Sequence, residues 1–195
     1  EAEELSQLLV DIRSIISKIP ETEAEKQTTT IESIQEQLPE ITQEIEELET
    51  EEEQLNRQID SLQEKNKFFK KLRGSKLTAE DLQTSNTLDV FVGKIDIQGF
   101  LSDVDNDRFE IFEGKSAKAI IYSKEHSDNI EKAIQKNSKK RFNIPTIEAE
   151  GTCEEIYRNL EDRKEELKNQ LQSVKSQKEE LAEKWSGKLY YIENF

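Results

Sequence analysis

The sequence predicts an α+β protein: a long antiparallel coiled-coil hairpin carrying a small ferredoxin-like (βαββαβ) lobe at its tip. Three observations predict it. Residues 31–69 and 157–192 each carry a heptad seam. Between them, short β-branched and aromatic runs alternate with helical ones. The composition is too polar for one ordinary globule, with 36% charged and 33% hydrophobic residues. Average soluble domains run nearer ~25% and ~45–50%.

Residues 5–19 place Leu5, Leu8, Ile12, Ile15 and Ile19 at alternating spacings of three and four, and Pro20 ends this helix. The stretch that follows has only Ala24 as an apolar residue and reads as a connector. Residues 1–30 are therefore an N-terminal helix and its connector.

Residues 31–74 form the first coiled-coil helix. Ile31, Ile34, Leu38, Ile41, Ile45, Leu48, Leu55, Ile59, Leu62 and Phe69 fall on one 3,4 repeat, with Glu52 and Asn66 as its polar members. A straight helix has 3.6 residues per turn, so a sustained period of 3.5 calls for a partner helix. Pro39 is expected to kink this helix or mark its true start. Lys70, Lys71 and Arg73 suit the negative end of the dipole, and Gly74 suits the left-handed position just past it.

Residues 151–195 supply the partner helix. Thr152 and Glu155 make a Thr-x-x-Glu capping box. Leu160, Leu167, Val174 and Leu181 recur every seven residues. Tyr157, Leu171, Trp185 and Ile192 fill the alternate position, with Lys164 and Lys178 as its polar members. Ser186-Gly187 is a possible break. Matched seam lengths favour pairing within the chain; parallel pairing between two copies is the alternative.

The middle, residues 75–150, reads as a globular lobe. A helical turn starts at the Thr78 cap, and Leu88–Gly93 is a strand. Ile97–Val104 reads as a short helix, Arg108–Glu113 and Ala117–Tyr122 as strands flanking a Gly114-Lys115 turn, and Ser127 as the cap of a further helix. Arg141–Ile144 is expected as the fourth strand. The order β-α-β-β-α-β is that of a split βαβ sheet.

Few constellations carry chemistry. Asp103-x-Asp105-x-Asp107 opens like a calcium loop, but its sixth and twelfth positions are Arg108 and Gly114 where Gly and Glu are needed. His126, the only histidine, stands alone at a turn, and Cys153, the only cysteine, sits in a helix first turn. No phosphate loop, nucleophile elbow or metal motif occurs. No enzymatic activity, cofactor or small-molecule ligand is expected. A single Cys suits a reducing compartment. The chain has no apolar run of ~18 residues that could span a bilayer. With no Met and a helical pattern from its first residue, it reads as a piece of a larger protein.

Charge is unevenly placed. Residues 65–145 carry 16 Lys+Arg and 12 Asp+Glu, net +4; the remainder carries 12 and 31, net −19. The whole, at −15, argues against a general nucleic-acid binder. A mildly basic tip on acidic helices suits an acidic partner; compensation of helix C-termini together with ordinary solubility is the alternative. The expected contact residues are Lys136, Lys139, Lys140, Arg141, Phe100 and Lys115.

Val90-Phe91-Val92-Gly93-Lys94-Ile95 resembles the "VGxI" strand of the cytoplasmic N-terminal domain of subunit I (subunit a) of V/A-type rotary ATPases. Ile144-Pro145 and Glu150-Gly151-Thr152-Cys153-Glu154-Glu155, running into a heptad helix, resemble that family's return into its second long helix. Cys153 stands where the family more often has Pro, and so does Asp96. The resemblance covers residues 31–185 and implies a stator at the cytoplasmic face of a membrane. It implies that the lobe binds a peripheral-stalk heterodimer of E/G or E/H type. A base region would contact the central collar subunit, and a membrane domain beyond this chain would join the membrane sector. Residues 1–19 would belong to the base, packing on Trp185, Tyr190 and Phe195. Two other readings stand beside it: a nucleic-acid- or chromosome-associated coiled-coil arm, and a self-assembling scaffold.

Overall fold

The structure is a computed structural model and describes residues 2–21, 27–104 and 108–193. It contains five α-helices among the described residues and a four-stranded antiparallel sheet. The chain divides into two compact units, Glu1–Ile59 with Glu166–Phe195, and Asp60–Glu165. Helices α2 (Ile31–Leu72) and α5 (Cys153–Glu193) contribute to both.

The first unit is helical. Helix α1 (Ala2–Lys18) buries Leu8, Ile12 and Ile15, and Ile19 just beyond it, against Ile34, Leu38, Ile41 and Ile45 of α2 and Leu181, Trp185, Leu189 and Ile192 of α5. Three helices thus share one core here. Tyr191 packs against it; Phe195 and Ala24 lie outside the described residues. Further along the seam, Leu55, Ile59, Leu167 and Val174 are buried, while Ile31, Leu48 and Leu171 are half-buried. Lys178 Nζ donates to Glu52 Oε2 at 2.9 Å, so two polar seam positions answer each other. Pro39 lies inside α2, eight residues past its start, and does not mark it. Ser186 and Gly187 do not break α5, which continues to Glu193 with both residues buried.

The second unit is built on the sheet, with strands β1 (Leu88–Ile95), β2 (Phe109–Glu113), β3 (Lys118–Ser123) and β4 (Ser138–Arg141) in the order β2-β3-β1-β4. Helix α3 (Ile97–Asp103) joins β1 to β2, and α4 (Ser127–Asn137) joins β3 to β4. Strand β1 is buried on both faces, which is why it reads as a near-continuous apolar run. Phe91 and Ile95 pack with Phe100, Ile120, Tyr122, Ile130 and Ile134 under α3 and α4. Val90 and Val92 pack on the other face with Phe68, Phe69 and Leu72 of α2 and with Cys153 and Ile156 of α5.

Two boundaries differ from expectation. The fourth strand is Ser138–Arg141, three residues earlier than the sequence suggests, and Phe142 and Ile144 pack on the α2/α5 side. The segment Ser138-Lys139-Lys140-Arg141 has no apolar residue, so its strand character comes only from pairing with β1. Ser127 begins α4 but does not cap it. A 3-10 turn (Lys124–His126) precedes the helix, and Ser123 accepts from the Glu125 N–H at its start.

The Thr152 capping box forms as read. Thr152 N–H donates to Glu155 Oε2 at 2.8 Å and Glu155 N–H returns to Thr152 Oγ1 at 3.3 Å. Gly74 takes φ +78, the left-handed conformation that ends α2.

Candidate docking surface

In the second unit, α2 and α5 run antiparallel and polar groups join them. Arg73 Nη2 and Nε donate to the two carboxylate oxygens of Glu154 at 2.9 and 3.0 Å, and the guanidinium lies 4.5 Å from the Tyr157 ring centroid. These hydrogen bonds hold the Glu154 carboxyl below the ordinary Glu value. Asn66 is buried and donates to Glu161, which also accepts from Lys164. Leu62 and Leu160 are half-buried beside them.

The end of α2 is bonded to the turn between β2 and β3. Lys115 N–H donates to Arg73 O at 2.9 Å, and Ser116 and Ala117 N–H donate to Lys71 O at 3.0 and 3.2 Å. Gly114 makes the approach possible: a Cβ there would stand 2.6 Å from both Leu72 Cα and Lys71 O. Lys115 is left exposed at the turn.

On β4, Lys139, Lys140 and Arg141 are all exposed. Register places Lys94 of β1 opposite Lys140 and Gly93 opposite Arg141. Lys71 Nζ and Lys140 Nζ lie 5.0 and 5.5 Å from the Phe142 ring centroid. Burial lowers the Lys71 pKa from its ordinary value, and repulsion from Lys140, Lys67 and Lys94 adds to this. Arg141 lies 5.6 Å from the Phe91 ring. A cleft beside this group is lined by Lys94, Lys115, Lys118 and Lys139, with Asp96 as its acidic member.

Of the expected contact residues, Lys139, Lys140, Arg141 and Lys115 are thus exposed. Lys136 is exposed but engaged, its Nζ 2.7 Å from Asp103 Oδ1. Phe100 is a correction. It is fully buried, its ring edge-on to Phe109 at 5.1 Å, and is a core residue with no face for a partner. A seven-residue helix gives too few turns for the sequence to reveal which side faces the sheet. Lys94 went unnoticed because only strand register brings it to Lys140.

The remaining candidates have structural roles where the structure describes them. Cys153 is fully buried, and burial pushes its thiol up to about 11, with the Asp81 charge adding to the effect. Its N–H donates to Leu77 O at 2.8 Å. Asp103 is occupied by Lys136 and Asn137. Asp105 and Asp107 lie outside the described residues, as does the His126 side chain. Among the described residues no group of three His, Cys, Asp or Glu side chains gathers as a metal site. No described helix is long and apolar enough to cross a membrane.

No protein-family profile matches the sequence, and no curated protein matches it. Among solved structures, the chain is similar to the crystal structure of the cytoplasmic N-terminal domain of subunit I, homolog of subunit a, of V-ATPase. The TM-score is 0.54 at 14% identity, over 98% of this chain and 66% of that one. The likeness is one of fold, and the chain spans just under two thirds of the similar chain's length.

Proposed function

We propose that this chain is a non-catalytic stator connector of a V/A-type rotary ATPase, acting at the cytoplasmic face of the membrane. The observation that carries the reading is the likeness of fold to a V-ATPase subunit I domain over 98% of the chain. Chemistry agrees with a mechanical part. Polar seam residues of the two long helices meet one another, as in Glu52 with Lys178 and Asn66 with Glu161.

On this reading α2 and α5 are the arms of an antiparallel coiled-coil hairpin. Within each unit they run in opposite directions, and polar seam residues of this kind fix register at some cost in stability. The sheet order β2-β3-β1-β4, all antiparallel, supports a ferredoxin-like lobe. That lobe takes the peripheral-stalk heterodimer, of E/G or E/H type, through Lys115, Lys139, Lys140 and Arg141. The helical unit serves as part of the base, near the central collar subunit, and a membrane domain of the parent protein joins it to the membrane sector.

Calorimetric titration of the chain with a purified stalk heterodimer tests the proposal. Saturable heat with micromolar affinity is expected. No heat at high micromolar concentration of both partners overturns it.

A further inference from the structure

The second unit gathers cations that outnumber the acids beside them, Asp96 being the one acidic member of the cleft lining. Lys67 is tied to Glu64 at 2.7 Å, Lys118 to Glu113 at 3.0 Å and Lys136 to Asp103. No such ion pair is found for Lys71, Lys94, Lys115, Lys139 or Lys140 among the described residues. Four structural decisions bring these five together. The end of α2 supplies Lys71, and the turn held against it supplies Lys115. Strands β1 and β4 supply Lys94 opposite Lys140, and Lys139 lines the same cleft as Lys94 and Lys115. The half-buried Phe142 ring lies beneath Lys71 and Lys140. Like charges held this close raise one another's energy until an anion arrives.

We propose that the cleft lined by Lys94, Lys115 and Lys139, together with Lys71 and Lys140 over the Phe142 ring beside it, is the docking groove for an acidic protein segment that presents carboxylates beside an apolar side chain. The inference rests on the stator reading and gives its stalk contact a chemistry. Five cations answer carboxylates, and Phe142 answers the apolar residue. A peptide fits better than a nucleic acid. Duplex DNA brings a charge every ~1.7 Å over its whole length, and the chain's remaining charge of −19 outside residues 65–145 repels such a polymer. A short acidic segment meets only the cleft.

The probe is a fluorescein-labelled synthetic peptide in which glutamates surround a few leucines, titrated into the full chain and read by anisotropy. Saturable binding is expected, weakened about tenfold or more by Lys94→Glu with Lys140→Glu, and weakened again by ionic strength above about 0.15 M. Lys115→Glu with Lys139→Glu is the second variant, in case the first misfolds by circular dichroism. Unchanged affinity in a folded double variant overturns the proposal. So does tighter binding of a DNA duplex than of the peptide at equal salt. Stalk binding that survives both double variants overturns the groove and leaves the stator reading standing. Peptide binding without any stalk binding supports the groove and overturns the stator reading.

Discussion

Asn66, only 4% exposed, donates its amide to the Glu161 carboxylate across the α2/α5 seam. Its own Oδ1 is buried without a hydrogen-bond partner, while Glu161 retains Lys164. The seam therefore carries a polar residue that is half satisfied. Asn66→Leu removes the orphaned acceptor and adds apolar contact. Stability is expected to rise by on the order of 1 kcal/mol, or ~2–4 °C in Tm for a chain this size. Thermal unfolding followed by circular dichroism measures it; a fall in Tm means the amide contributes more than its unpaired oxygen costs.

The Arg73–Glu154 pair sets an acid limb. Hydrogen bonding from Arg73 comes first in holding the Glu154 carboxyl below its ordinary value, against a desolvation that acts the other way. A carboxyl whose folded pKa is depressed adds stability above its unfolded pKa, about 4.3. That contribution is lost as pH falls through the folded value. Urea midpoints of the wild type and Glu154→Gln are expected to differ at pH 7 and converge as the pH falls below about 4. A difference that persists unchanged at low pH means the pair acts through packing instead.

Cys153 is sealed. With its thiol pushed up to about 11 and its surface fully buried, it offers almost no thiolate near neutrality. Ellman's reagent is expected to leave the native chain unreacted at pH 8 and to titrate one thiol after denaturation. Rapid native reaction places the cysteine at an open surface.

Two glycines differ in what a methyl group meets. Gly74 has φ +78 and open space around it, so Gly74→Ala costs backbone strain alone, about 1 kcal/mol. Gly114→Ala drives a Cβ into the backbone of Leu72 and Lys71 and is expected to cost more. Comparing the two chemical denaturation curves tests the order; equal costs mean that the turn shifts freely.

Phe100→Ala removes a fully buried ring from the sheet's helical face and is expected to cost about 3–5 kcal/mol. Urea denaturation reads this directly. A cost under about 1 kcal/mol marks the ring as surface-like.

Much of this was legible in the residues. Heptad spacing found the helices, because an apolar seam leaves a periodic mark whatever its partner. The Thr152 box and Gly74 were legible because caps and left-handed turns are written in single residue types. Asp96, unlike the Pro common in the resembling family, accepts from the Gln98 N–H and caps α3. What escaped depends on contacts distant in sequence. Strand β4 owes its pairing to β1, Phe100 owes its burial to α4 and the sheet, and Lys94 meets Lys140 only through strand register.

The turn at residues 114–117 meets the end of α2 through peptide N–H and C=O groups. Every amino acid but proline offers those donors, so the joint is nearly blind to heredity. A lineage can exchange almost every side chain around it, provided that a glycine stays at position 114. A connection written in main-chain atoms is one that mutation reaches last.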